Sequence, residues 1–160
     1  MKRFLKLFFV FVVCGAIQVK AVKNISFFPH LIFLVVMYEG VFLGIKEGIL
    51  AGVMGGFING CFSGGTFFLG LASFPIAAVA AFLLAKMLNR QNPAVQMFAV
   101  MAGLCGIVMM HISYFSIIND SAINFLSVFR SNIRNLVFTV LVAPLFFCFL
   151  NKFLRIRNAD

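Results

Sequence analysis

Residues 47–70 read EGILAGVMGGFINGCFSGGTFFLG, and within them Gly48, Gly52, Gly56, Gly60 and Gly64 recur at an unbroken interval of four inside apolar sequence. Residues four apart lie along one ridge of a helix, and a ridge without side chains lets a neighbouring backbone approach closely. In water the arrangement is wasteful, because each interior glycine costs a helix about 1 kcal/mol relative to alanine. Lipid leaves the backbone few alternatives to helix, so there the same ridge becomes a packing surface. Any one Gly-xxx-Gly pair is common enough in membrane spans to mean only generic packing. Five in register read as a helix-packing or partner interface. Leu or Ile at Gly56 or Gly60 is expected to overpack it at about 1–3 kcal/mol, and Ala to cost much less.

The rest of the chain agrees with a lipid environment. Of the 160 residues 63% are hydrophobic and only 11% charged, with a mean hydropathy of +1.11, too little polar surface for a soluble domain of this size. The net charge of +9 would point to nucleic acid in a soluble protein. Here the charges flank apolar runs and act as topology signals, so no nucleic-acid partner is expected. Cys14, Cys61, Cys105 and Cys148 are scattered one per apolar segment without CxxC spacing, as reduced thiols facing lipid or core.

Taken in order, Met1 to Lys6 followed by LFFVFVVCGAIQV has the charged start and apolar run of a signal peptide, with Val19-Lys20-Ala21 as a passable cleavage site, but is read as a retained first span. From Pro29 to Ser63 the chain is almost continuously apolar. One helix of that length would measure about 52 Å against a bilayer core of about 30 Å, so it must fold back. Lys46-Glu47, the charged pair between Gly44 and Gly48, is expected to mark the turn, and Gly40 and Gly44 extend the small-residue register into the preceding arm. The next run, FFLGLASFPIAAVAAFLLAKML, offers Ser73, Ala77, Ala81 and Ala85 at the same interval, the expected partner face for the glycines. After Asn92-Pro93 a fifth run reaches Ile118, with Ala99 and Gly103, then Ala102 and Gly106, at small-residue spacing. Residues Asn119 to Arg134 break the hydropathy and read as an interfacial amphipathic segment capped by Asp120 or Ser121, or as a polar loop.

The fold class is therefore all-α: a single integral membrane domain over residues 1–160, a polytopic bundle of six transmembrane helices at about 4–19, 29–45, 47–63, 66–88, 94–118 and 135–150. With the N-terminus inside, nine Lys and Arg fall on the inner side (Lys2, Arg3, Lys6, Lys46, Lys86, Arg90, Lys152, Arg155, Arg157) and four outside (Lys20, Lys23, Arg130, Arg134). That satisfies the positive-inside rule and places both termini in the cytoplasm.

Little in the chain carries chemistry. Intramembrane polar residues are functional candidates because they are costly in hydrocarbon, and Glu39, Asn59 and His111 are the ones that stand out. Glu39 and His111 fall at comparable depth, which leaves a contact between them open. The plainer reading is a protonated or snorkelling Glu39 and a structurally hydrogen-bonded His111. Asp120 and Asp160 are the only aspartates, which excludes the paired intramembrane aspartates of a lipoprotein signal peptidase. There is no HExxH or GxSxG pattern, and His30 and His111 are too few for a metal site. Neither catalysis nor a cofactor is expected.

The proline-opened second span (Pro29-His30-Leu31), the tight basic turn before Gly48, the run GGFINGCFSGGTFFLG, the small-residue fourth span and the closing NLVFTVLVAPLFFCFL together resemble the rod shape-determining protein MreD family. Two positions depart from that family's pattern. It often carries Pro-Asp where this chain has Pro29-His30, and an aspartate near Asn59-Gly60, so no role of those acids carries over. The resemblance implies a non-enzymatic component of the bacterial inner membrane that pairs with an MreC-like protein and helps connect the actin-like MreB to peptidoglycan synthases. It also implies a fold similar to the S component of energy-coupling-factor transporters, whose function, uptake of a small molecule such as a vitamin, is the alternative. Such a component carries an Ala-xxx-Ala docking motif on its first span, and LFFVFVVCGAIQV has none.

Overall fold

Every residue from Leu31 through Val41 is buried, although the segment has no polar face to distinguish it from its neighbours in sequence. In the computed structural model, which describes residues 2–24, 28–63, 67–119 and 125–154, this segment forms the central helix of an all-helical bundle. The six helices are α1 (Lys2–Asn24), α2 (Leu31–Leu43), α3 (Ile45–Ser63), α4 (Phe67–Met87), α5 (Pro93–Asn119) and α6 (Phe125–Leu154). Helix α2 touches each of the other five, which surround it in the order α1, α3, α4, α5, α6, and the broadest contact in the bundle joins α3 to α4. Tyr38, Phe33, Leu34, Met37 and Glu39 of α2 are all essentially inaccessible.

The outer faces are as apolar as the interior. Phe8, Phe57, Phe68, Leu141 and Leu145 are among the large hydrophobic side chains left exposed, Phe68 at 80% and Leu145 at 75%. A surface of that kind needs a hydrocarbon solvent. Over Phe67–Met87, Pro93–Tyr114 and Ile133–Phe153 three helices are long and apolar enough to cross a membrane, and Leu31–Leu43 is a shorter apolar helix, among the described residues. The fold is a membrane helix bundle.

At 13 residues α2 is about 20 Å long, well short of a bilayer core, so its terminal backbone groups need partners from the protein itself. At its start the His30 amide donates to Thr139 Oγ1 at 3.1 Å and the Ile32 amide to Gln18 Oε1 at 3.4 Å. At its end Arg90 Nη1, from the connection between α4 and α5, donates to the Phe42 carbonyl at 3.4 Å. Helix α6 is tied to it by Tyr38, whose hydroxyl donates to Asn151 Oδ1 at 2.7 Å, and by Phe147, which meets Tyr38 and Phe42 edge-on.

Several boundaries differ from the sequence reading for local reasons. The α2–α3 turn is a single residue, Gly44, with φ 114° and ψ −178°, and Lys46-Glu47 lie inside the first turn of α3. Glycine alone occupies that backbone region without strain, so it reverses the chain at once and the charged pair is left to begin the next helix. Helix α2 starts at Leu31, two residues past Pro29. In the stretch read as interfacial, Asp120, Ser121 and Ile123 lie outside the described residues, and from Phe125 the chain is one continuous helix into the last apolar run. Nothing between Phe125 and Arg134 is Gly or Pro, so a fall in hydropathy there does not interrupt the helix. Asn92 caps α5, its Oδ1 accepting from the Ala94 amide at 2.9 Å, with Pro93 in the first helical position where no amide is needed.

Gly44→Ala should lower the unfolding free energy in detergent by about 1–3 kcal/mol, the usual cost of a side chain in that backbone region. Gly106 is the matched control, since a Cβ there meets nothing within 4 Å. Gly106→Ala should be neutral or stabilising by about 0.5–1 kcal/mol. Equal effects of the two substitutions would contradict the one-residue turn.

Candidate functional site

The glycine ridge of α3 lies directly on backbone. A Cβ placed on Gly48 would come within 2.9 Å of Gly40 Cα, on Gly52 within 2.6 Å of both N and Cα of Pro75, and on Gly56 within 2.5 Å of the Gly70 carbonyl oxygen. On Gly60 it would meet the Phe67 ring at 2.6 Å and Phe67 Cα at 3.0 Å. As α3 advances by four residues α4 recedes by about four, from Ala78 through Pro75 and Gly70 to Phe67, so the two antiparallel helices stay close from Gly48 to Gly60 and their backbones meet most tightly at Gly52 and Gly56. Gly64 lies outside the described residues. Gly40 closes a three-helix junction, where a Cβ would sit 2.6 Å from the Ala78 carbonyl oxygen.

The partner face differs from the expected one. Ser73, Ala77, Ala81 and Ala85 are all buried, yet the atoms nearest the glycines belong to Phe67, Gly70, Leu71, Pro75 and Ala78. Four residues turn a helix by about 400°, so a stripe at that interval winds around the axis by about 40° per step. The spacing therefore identifies a small-residue stripe without fixing which neighbour it meets. Two further contacts escaped the four-residue pattern. Gly55, beside the ridge on the face of α3 turned toward α2 and α1, admits Val36 and Phe11, and Gly15 of α1 admits the Phe62 ring. On α5 the Gly103 notch holds the tips of Phe33 and Met37, whereas Gly106 faces open space.

The polar candidates separate into two places. Glu39 is buried at mid-bundle on α2, 1% exposed. His111 and Asn59 instead line a cavity of about 110 Å³ together with His30 and Asn135, at the end of the bundle where α2 begins. Nine residues of α2, about 13 Å of rise, separate His30 from Glu39, and Glu39 is not part of that wall. The structure thus pairs His111 with His30 across the cavity, and not with Glu39. The remaining walls are apolar, with Phe33, Phe74, Leu104, Ile107, Val108 and Leu136 contributed by α2, α4, α5 and α6. Asn135, read in the sequence only as the start of a span, also lines the cavity, while its Oδ1 is sealed inside the bundle without a hydrogen-bond partner. His30 and Asn59, the two positions that depart from the resembling family's pattern, both belong to this wall.

The orientation of His30 follows from its neighbours. Gln18 Oε1 accepts from the Ile32 amide, which leaves Gln18 Nε2 to donate to His30 Nδ1 at 3.4 Å. An imidazole that accepts at Nδ1 carries its proton on Nε2 when neutral. Thr139 completes the corner: its hydroxyl accepts from the His30 amide and donates to the Asn135 carbonyl at 2.6 Å. Among the described residues no group of three or more His, Cys, Asp or Glu is placed to hold a metal ion. All four cysteines are free, Cys14 buried and the others exposed on the apolar surface.

An apolar-surfaced helical bundle, knit by backbone contact and by a few inter-helix hydrogen bonds, defines an integral membrane protein. The family model described as rod shape-determining protein MreD matches residues 2–153, essentially the whole chain. The chain belongs to the MreD family and with it to rod shape determination, a family of shape-determining membrane proteins and not a known enzyme family. No curated protein and no solved structure matches it.

Because the nearest atoms at Gly52 and Gly56 are backbone, alanine itself is expected to be disruptive there, contrary to the estimate from sequence. Gly52→Ala and Gly56→Ala should each cost about 1–3 kcal/mol, the range for overpacking. Gly60→Ala should cost less, because the Phe67 ring can turn away. Reversible unfolding in mixed micelles measures all three, and a neutral Gly52→Ala would show that the α3 and α4 backbones are not in contact.

Proposed function

We propose that the chain is a non-enzymatic scaffold of the bacterial inner membrane. It pairs with an MreC-like membrane protein and helps link MreB in the cytoplasm to the peptidoglycan synthases. The family assignment over residues 2–153 carries this reading. Two features of the interior support it. Its polar side chains serve to join helices, as Gln18 and Thr139 do for α2, and its helix contacts are made by glycine and alanine surfaces. The cavity also bears on the alternative: at about 110 Å³ it is far below the roughly 300–1,000 Å³ of a site for a drug-sized molecule, so it does not suit vitamin uptake.

In this reading all six helices lie in the membrane with both termini in the cytoplasm. The Gly44 turn and Arg90 then face inward and the His30 end faces outward, in keeping with the distribution of Lys and Arg. The ridge serves the internal fold, since α4 already occupies it.

Three measurements test the proposal. Expression of the chain should restore rod shape to cells lacking their own MreD-family protein, and an MreC-like protein should co-purify with it from solubilised membranes. Neither happening would sink the scaffold. Cysteines placed at Lys46 and Arg90 in a cysteine-free background should resist a membrane-impermeant reagent in intact cells, and labelling there would reverse the topology. Glu39→Gln removes the titratable carboxyl while keeping its size, and should leave rod shape intact. Loss of shape with normal protein levels would mean that the carboxylate acts chemically.

A further inference from the structure

We propose that the seam between α1 and α6 holds an anionic phospholipid, its headgroup phosphate on Lys6 and an acyl chain laid between Phe9 and Phe153. The bundle leaves that place open. Around α2 each outer helix packs broadly on the next, α1 on α3, α3 on α4, α4 on α5 and α5 on α6, but among the described residues no broad contact joins α6 back to α1. Both helices lie against α2 without closing on each other. Where the start of α1 comes near the end of α6, a groove of about 360 Å³ remains between them, lined by Leu5, Lys6, Phe9 and Phe153.

Its walls run from charged to apolar. Leu5, Phe9 and Phe153 are each half or more exposed, and the Phe153 ring stacks on Phe149 one turn earlier, with centroids 6.0 Å and planes 12° apart, as a flat hydrocarbon wall. Lys6 supplies a cation in the groove, and Lys152, in the last turn of α6, adds charge of the same sign beside it. Neither acid of the described residues reaches them. Glu39 is sealed at mid-bundle, and Glu47 turns back over Gly44, its Oε2 3.7 Å from where a Cβ would stand there. The groove therefore suits a molecule that is negative at one end and hydrocarbon beyond it, as an anionic phospholipid is. A transmembrane helix suits it less. This bundle joins helices tightly through glycine and alanine, whereas the walls here are large side chains, which hold a second helix off and which a flexible acyl chain can follow. The site depends on the bundle and not on the scaffold role.

The chain contains no tryptophan, so Phe153→Trp places a single fluorophore in the groove. With the full chain in phosphatidylcholine vesicles, phosphatidylglycerol and phosphatidylcholine bearing brominated acyl chains are compared as quenchers at the same low fraction. Phosphatidylglycerol should quench as though enriched about fivefold or more, and adding Lys6→Gln should lower that preference about fivefold, the effect of one lysine on an anionic headgroup. Leu5→Trp, on the opposite wall, should behave in the same way, and circular dichroism checks the helix content of each variant. Met87→Trp is the control: Met87 is 83% exposed beside Lys86 at the end of α4, and should report only the weaker preference of the surface at large. Equal quenching by the two lipids in the groove, an equal preference at Met87→Trp, or a preference unchanged by Lys6→Gln would each overturn the proposal. Quenching by neither lipid would overturn it as well, by showing the seam closed by a second copy of the chain.

Discussion

Direct contact between backbones at Gly40, Gly48 and Ala78, continued along Gly52 and Gly56 against Pro75 and Gly70, is what the rest of this bundle depends on. Lipid tails are as apolar as leucine, so helices in a membrane gain little from burying apolar side chains against one another. What remains is close packing, and dispersion falls off so steeply that a gap of 0.5–1 Å forfeits about a quarter to a half of each contact. Glycine and alanine shorten the distance between helix axes and multiply such contacts. Pro75 contributes in the same way, because its nitrogen carries no hydrogen and Gly52 lies directly over it. The α2–α3 hairpin and α4 therefore form a unit whose geometry tolerates no added atoms.

That unit has a consequence for α2. Reversing the chain on Gly44 alone presses α2 against α3 from its last residue onward, and the other helices then enclose it on every side. Enclosure buries the body of α2 from Leu31 to Val41 and leaves only its Gly44 end near the surface. The structure answers with Gln18 from α1, Thr139 from α6 and Arg90 from the α4–α5 connection, three distant parts of the chain that converge on one short helix. Hydrogen bonds of this kind fix rotation and depth, which small-residue packing alone does not. They also explain why the bundle closes around α2 and not around the glycine-bearing helix that the sequence brings forward.

The four-residue glycine interval was legible because it is a property of one helix and needs no knowledge of neighbours. Its partner was not, since Ser73, Ala77, Ala81 and Ala85 form an equally regular buried stripe on α4, while the atoms nearest the glycines belong to other residues of that helix. The centrality of α2 was hidden for a related reason: hydropathy separates apolar from polar, but here lipid-facing Leu145 and core Leu34 are equally apolar. Charge points to Lys46-Glu47 as the turn, two residues past Gly44, because hydropathy marks polar residues and not the backbone freedom that reverses the chain there. Least legible was the cavity, whose polar members His30, Asn59, His111 and Asn135 come from four separate segments and share no spacing. Of these, Asn59 and His111 stood out as intramembrane polar residues, and only the fold shows that they meet.

The same physics divides the labour of the molecule. Where contacts are backbone to backbone, as between α3 and α4, substitution is costly and the surface is already occupied, so that interface holds the fold and offers a partner nothing. Helix α5 is built otherwise: Gly103 receives side-chain tips, Phe33 and Met37, and Gly106 beside it faces open space. Side-chain tips change rotamer at modest cost, whereas a backbone cannot give way without moving a whole helix. The cavity lies where α5 and α6 complete the wall begun by α2, α3 and α4, so its shape is set by the rigid unit on one side and by adjustable side chains on the other.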